Sequence, residues 1–187
     1  MIGGLTEDQK KLLIVLYLTT KPPHKPPGGR KFVEKWVKEP YILAIACAGA
    51  VEGVFSYDYA PNVRLVGGAY RFVNVSQECI QDLRSLASRG LIEILSLATE
   101  RHLFIRAYRI AEEGKKLVDE LLQGDEGSRL LEEVKKLVCC EHGLVMDACL
   151  DEEEGKVVLR CGKGCVREID DLFKTEDVSY SSTPVVF

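Results

Sequence analysis

The stretch Ser76–Gly114, SQECIQDLRSLASRGLIEILSLATERHLFIRAYRIAEEG, constrains the fold more than any other part of the chain. Ser76 is placed to cap a helix through its hydroxyl, and Glu78 falls in the first turn, where the positive end of the helix dipole favours a carboxylate. Cys79, Ile80, Leu83, Leu86 and Ala87 recur at helical spacing, leaving Gln77, Gln81, Arg84, Ser85, Ser88 and Arg89 on the opposite face. Gly90 follows as a left-handed cap. Leu91–Leu97 and His102–Ile110 read as two strands around a polar turn, Ala98–Arg101. Strand alternation puts His102, Phe104 and Arg106 on one face, with Leu103, Ile105 and Ala107 on the other. A further helix starts near Ala111–Glu113 and runs through Lys115–Leu122.

Helix, short turn, two-stranded hairpin and helix is the order of the second half of a winged helix-turn-helix. The phrases DLRSLASRGLIEI (Asp82–Ile94) and YRIAEEGKKLVDEL (Tyr108–Leu121) resemble the recognition helix, wing and closing helix of archaeal and bacterial winged-helix proteins. Regulators of the MarR and PadR type are the nearest comparison, and the likeness covers roughly a fifth of the chain. The resemblance implies a winged-helix fold and, with it, a dimeric transcriptional regulator that binds double-stranded DNA. Gln81, Arg84, Ser85 and Arg89 are then the candidates for the major groove, with Arg101, His102 and Arg106 on the phosphate backbone.

Upstream, Thr6 and Gln9 fit a reciprocal capping box that opens a helix carrying Leu12, Leu13, Val15, Leu16 and Leu18. Lys21–Arg30, with four prolines, ends it. Lys31–Lys38 has the pattern of a short amphipathic helix with Trp36 as a core anchor. Pro40 interrupts, and Tyr41–Val54 continues as an apolar helix. Phe55–Gly68 reads as a turn-rich loop with room for a short strand, and Tyr70–Val75 as a short strand that pairs with the wing. Cys47 and Cys79 lie on apolar helix faces and are expected in the core.

Downstream, the polar break Gln123–Gly127 suggests a domain boundary, so that residues 1–123 form the winged-helix domain. Ser128 is placed to cap a connecting helix through Leu130, Leu131, Val134, Leu137 and Val138, which serves either dimerisation or a stalk. Five of the seven cysteines then fall between Cys139 and Cys165. Cys139-x-x-His142 and Cys161-x-x-x-Cys165, joined by a hairpin with an acidic turn at Asp151–Gly155, are expected to bind a structural zinc ion through Cys139, His142, Cys161 and Cys165. Zinc takes four borderline or soft ligands in a tetrahedron, and two close pairs supply them. Cys140 replaces Cys139 if the register is Cys140-x-His142, and Cys149 is a possible fifth participant. A disulfide or free thiols are the competing reading. Val166–Lys174 looks helical, as in a treble clef, and the tail 175–187 is Ser/Thr-rich with a terminal apolar triplet.

The expected fold class is therefore α+β: a winged helix, a helix, and a small zinc-ribbon or treble-clef-like module. Charge is uneven. Residues 1–123 hold 17 Lys/Arg against 14 Asp/Glu, whereas 124–187 hold 8 against 15, so nucleic-acid contact is expected in the N-terminal part. The overall net charge of −4 favours a second reading, a protein-interaction adaptor working through winged helix, zinc module or tail. Archaeal transcription factor E is similar in domain order, although its ribbon is usually built on two CxxC pairs. No apolar run reaches the ~20 residues of a membrane span, and no signal segment opens the chain, so a cytoplasmic location is expected. No phosphate-binding glycine loop, nucleophile elbow or HExxH helix is present, and no enzymatic activity is expected.

Overall fold

Thr6 and Gln9 show how closely local chemistry sets the first element. The Thr6 hydroxyl accepts from the Gln9 amide at 3.2 Å, and the Gln9 side chain accepts from the Thr6 amide at 3.3 Å. This reciprocal cap opens α1 (Glu7–Thr20), whose Leu12–Leu16 run is buried on every side. The computed structural model describes residues 4–20, 35–66, 69–98, 105–151 and 156–169. Within them follow β1 (Val37–Lys38), α2 (Glu39–Val51), β2 (Ala60–Val66), β3 (Ala69–Val75), α3 (Gln77–Ser88), β4 (Ile92–Leu97), β5 (Ile105–Ile110), α4 (Glu112–Leu121), α5 (Asp125–Val138), β6 (Asp147–Asp151), β7 (Lys156–Arg160) and β8 (Val166–Ile169). The fold is α+β, with five helices and three small antiparallel sheets among the described residues.

The first sheet has the order β1-β5-β4, with Val37 opposite Tyr108 and Ile94 opposite Tyr108 on the other side. β1 corrects the expectation of a helix over Lys31–Lys38, because Val37 and Lys38 are extended. Pro40 lacks the N–H that a continuous helix would aim at the carbonyl of Trp36. It sits instead in the first turn of a new helix, α2, where the missing donor costs nothing. Trp36 is only half-buried and lies under the Arg109 guanidinium, 4.6 Å from its ring centre.

The second sheet is the hairpin β2–β3, inserted between α2 and α3. The short strand that Phe55–Gly68 had room for is β2, Ala60–Val66. One expectation changes: β3 pairs with β2 rather than with the β4–β5 hairpin. Only Gly67 and Gly68 separate the two strands in sequence, so the local partner wins over the distant one. Pro61 is tolerated because each strand of a two-stranded ribbon keeps a free edge.

α3 forms as its sequence indicates. The Ser76 hydroxyl accepts from the Cys79 amide at 3.2 Å, and Gly90 closes the helix at φ 70°. Cys79, Leu83 and Leu86 are fully buried. Asp82 does not add to the outer charge of this helix. Its carboxylate accepts from Gln9 at 2.6 Å and from the Tyr57 hydroxyl at 3.0 Å, tying α3 to α1 and to the chain after α2.

α5, expected as a connector, packs into the same core as α1 and α2. Leu130, Val134, Leu137 and Val138 are all fully buried there. Gly127 makes the approach possible, since any side chain would collide with the Leu121 carbonyl at the end of α4. Along the same seam Lys11, itself buried, meets Glu7 at 2.7 Å, Glu133 at 3.1 Å and the Val54 carbonyl at 2.5 Å. Arg129 spans Glu7 and Glu133.

The third sheet, β6-β7-β8, lies beyond α5. Met146, just ahead of β6, and Val157, Leu159 and Ile169 from β7 and β8 join the common core beside α2. Val166–Ile169 is a strand, which corrects the helix expected after Cys165. A five-residue turn returns the chain directly onto β7, with Arg160 opposite Val166.

Candidate metal centre

Both ends of the cysteine-rich segment are built from one five-residue turn. In Cys140–Leu144 the Cys140 amide donates to the Leu144 carbonyl at 2.9 Å, and the Gly143 amide donates to the Cys140 carbonyl at 2.8 Å. In Cys161–Cys165 the Cys161 amide donates to the Cys165 carbonyl at 3.1 Å, and the Gly164 amide to the Cys161 carbonyl at 3.0 Å. Each turn has a left-handed glycine at its fourth position, Gly143 at φ 70° and Gly164 at φ 86°. Each is closed by a strand-like pair, Cys139 with Val145 and Arg160 with Val166. The turns are the same structure twice, Cys140-x-x-Gly143 and Cys161-x-x-Gly164.

This geometry brings Cys140, Cys161 and Cys165 together. Their sulfur atoms lie within 4.8 Å of one another. Tetrahedral zinc–thiolate bonds of about 2.3 Å put sulfurs about 3.8 Å apart, so a small adjustment seats an ion. His142, Glu141 and Cys165 form a second group of the same span, and Cys165 belongs to both. The Lys163 amide donates to Cys161 Sγ at 3.4 Å, a bond that favours a thiolate there. Cys161 and Cys165 titrate as a pair. Burial raises the Cys161 thiol, but the Lys163 amide and the Cys165 thiol outweigh it and bring it down to about 7. The proton shared with Cys161, and then burial, push Cys165 up to about 12. Three cysteine sulfurs within this span are a donor set that suits a thiophilic cation.

Of the four residues expected to bind metal, Cys161 and Cys165 share a group with Cys140, and His142 shares one with Cys165 and Glu141. Cys139 belongs to neither group, and Cys140 stands where it was expected. Cys139 is the last residue before the turn, paired with Val145. Its thiol is raised, by burial first. Counting back from His142 pointed to Cys139; the repeated Cys-x-x-Gly, twenty-one residues apart, is the signal that singles out Cys140. Cys149 lies in β6 opposite Val158.

Arg167 fastens this sheet to the helices. Its guanidinium donates to the Lys136 and Leu137 carbonyls at the end of α5, at 2.9 and 3.4 Å, and pairs with Glu52 at the end of α2. The last carbonyls of α5 have no partner within the helix, and a cation there is doubly favoured.

A family model for the uncharacterized protein MJ1567 family matches residues 8–170. The chain belongs to this family. No curated protein matches it. The MJ1567-family match spans α1 through β8, so the helices and both cysteine turns fall within it.

The residues expected to meet nucleic acid are divided in this MJ1567-family chain. Gln81 and Arg84 are exposed on α3, and Ser85 is half-buried beside them. Arg84 has no ion-pair partner among the described residues. Arg89 donates to the Gly4 carbonyl at 2.9 Å. Arg106 pairs with Glu39 at 3.4 Å, and the same carboxylate accepts from the Tyr108 hydroxyl at 2.9 Å. Arg109 is held by Glu93 and Trp36. Arg101 and His102 lie outside the described residues, as do the proline-rich Lys21–Arg30 stretch, the acidic residues 152–155 and the tail. No helix among the described residues is long and apolar enough to cross a membrane.

Proposed function

We propose that this protein is a DNA-binding winged-helix regulator whose cysteine turns hold a structural zinc ion. The observation that carries the reading is the sheet order β1-β5-β4 with amphipathic α3 immediately before the β4–β5 hairpin. That is the order in which a winged helix presents its recognition helix and wing together. Gln81 and Arg84 project from the outer face of α3, where base edges and phosphates would lie. The β2–β3 hairpin between α2 and α3 replaces the short turn of a simple helix-turn-helix and stands as an additional arm at the start of the recognition helix. A homodimer is part of this reading.

The test is binding to duplex DNA across a salt series. The expected result is affinity that falls steeply with salt, and a lower slope in the double variant Arg84→Ala, Arg106→Ala. Unchanged affinity in that variant would remove α3 and the wing from the interface.

A second reading, a protein-interaction adaptor, is favoured by a specific observation. Arg89, Arg106 and Arg109 are already engaged by groups of the same chain, which leaves Arg84 as the uncommitted cation of the described face. The chain's net charge of −4 points the same way. Absence of duplex binding at low salt, together with a stable protein complex recovered at stoichiometric ratio, would establish this reading in place of the first.

A further inference from the structure

The two turns do more than bring sulfur atoms together. They fix which atoms remain for a metal and which do not. The first residue of each turn, Cys140 and Cys161, occupies the same place in the same hydrogen-bonded loop. These two thiols are therefore structural equivalents, presented by neighbouring turns at the one end of the sheet where Asp147 of β6 pairs with Arg160 of β7. The turns then diverge. The second turn adds a thiol at its fifth position, Cys165, where the first has Leu144. The first turn adds an imidazole at its third position, His142, where the second has Lys163. Neither turn alone offers more than two soft donors, and together they offer four.

We propose that Cys140, His142, Cys161 and Cys165 form a closed four-coordinate site for one thiophilic divalent cation, and that Cys139 takes no part. The inference rests on the zinc reading above for the presence of an ion, and adds the register and the coordination number. Three thiolates and a neutral imidazole fill a tetrahedron, leaving no open position for water or substrate. His142 is the fourth ligand because it shares a 4.8 Å group with Cys165, the thiol that also belongs to the group holding Cys140 of its own turn and Cys161 of the other. Its side chain is 42% exposed, which leaves room for the ring to turn onto the ion. Glu141 stands in the same group, with a carboxylate oxygen 3.9 Å from Cys165 Sγ. A hard carboxylate is the poorer partner for an ion already bound to three thiolates, and Glu141 is free to remain in water. Cys139, paired with Val145 ahead of the turn, belongs to neither group of converging donors.

The experiment uses the full-length chain. Elemental analysis measures zinc per chain, and cobalt(II) titration reads the number of thiolates from the sulfur-to-cobalt charge-transfer bands. Wild type is expected to hold one zinc per chain, and Cys139→Ser to hold the same amount with the same cobalt spectrum. Cys140→Ser is expected to bind on the order of 100-fold more weakly or worse. Because a serine variant is open to the objection of misfolding, His142→Cys supplies a gain: it keeps the metal, and its cobalt charge-transfer intensity rises as a fourth thiolate enters. Glu141→Gln leaves both readouts unchanged. Loss of metal in Cys139→Ser with retention in Cys140→Ser would overturn the register. An unchanged cobalt spectrum in His142→Cys, or loss of metal in Glu141→Gln, would overturn the fourth ligand. Wild type free of metal and unable to take cobalt would sink the zinc reading itself, a result distinct from either.

Discussion

The helical core around α1 and the sheet β6-β7-β8 solve the problem of staying folded in different ways. The core packs α1 against α5, β5, α4 and α3 and buries Leu12–Leu16, Ile42, Ile45, Leu83, Leu86, Leu130 and Leu137 almost completely. Each such side chain contributes about 1.5–3 kcal/mol on leaving water, so apolar burial is the main force holding this region. The three-stranded sheet contributes only one face to that core, chiefly Val157, Leu159 and Ile169 with Met146 beside it. Its other end consists of two glycine-bearing turns with exposed tips. A small antiparallel sheet of this kind has too little apolar area to specify its turns, and on the proposed reading a bound ion supplies what the core does not. On that reading, burial and coordination are alternatives for holding secondary structure, used side by side in one chain.

Metal removal is the sharpest way to break that comparison, and it carries the largest expected effect. Treatment with a strong chelator should abolish amide-exchange protection in β7, β8 and both turns while leaving α1 and α3 protected. Equal loss in both regions would mean that the sheet and the helices are one cooperative unit. Undiminished protection in the turns would mean that the sheet needs no ion. A core substitution probes the other side. Leu137→Ala removes a fully buried side chain that lies against Gly49 of α2, and should cost about 2–5 kcal/mol in denaturant unfolding. The helices should lose that stability whether or not metal is present. A loss seen only in the metal-free protein would invert the comparison.

What the sequence made legible follows the same division. Local signals were reliable where the answer is local. The Thr6–Gln9 capping box, the Ser76 cap, the Gly90 terminator and the apolar face of α3 all appear as their residues indicate. Errors arose where a distant partner decided. Val37 and Lys38 carry a helical apolar pattern, yet they pair with Tyr108 and Ala107 some seventy residues on. Val166–Ile169 reads as the start of a helix, yet the turn at Cys161–Cys165 aims it back onto β7 as a strand. The cysteine cluster was legible but not its register, because spacing alone does not distinguish Cys139 from Cys140. The fold brings Cys140, and not Cys139, within one group with Cys161 and Cys165.

Arg167→Ala tests the joint between the two regions. The guanidinium satisfies carbonyls at the end of α5 and pairs with Glu52, so its loss leaves half-buried acceptors without their donor. The expected cost is about 1–3 kcal/mol, with β8 exchanging faster and α1 unaffected. Arg167→Lys should restore only part, because an ammonium cannot reach two carbonyls and a carboxylate in one plane. A uniform loss across both regions would show that the joint belongs to the core rather than linking it to the sheet.

The smallest expected effect lies on the α1–α5 seam and concerns acid. Arg129, and after it Lys11, hold the Glu7 carboxyl down at about 2, against an ordinary value of 4.5. A carboxyl that is more acidic in the folded chain stabilises the fold wherever it is ionised in both states, that is, above about pH 4.5. The contribution then fades as pH falls toward 2, because the unfolded chain takes up the proton first. Glu7 is half-exposed, so solvent screening reduces its share to about 1 kcal/mol. Urea unfolding of wild type and Glu7→Gln should therefore differ by about that amount at neutral pH and converge near pH 2. High salt should narrow the gap at neutral pH as well. Two curves that remain parallel down to pH 2 would show that Glu7 acts by packing rather than by charge, and that the seam, like the core beneath it, is held by burial.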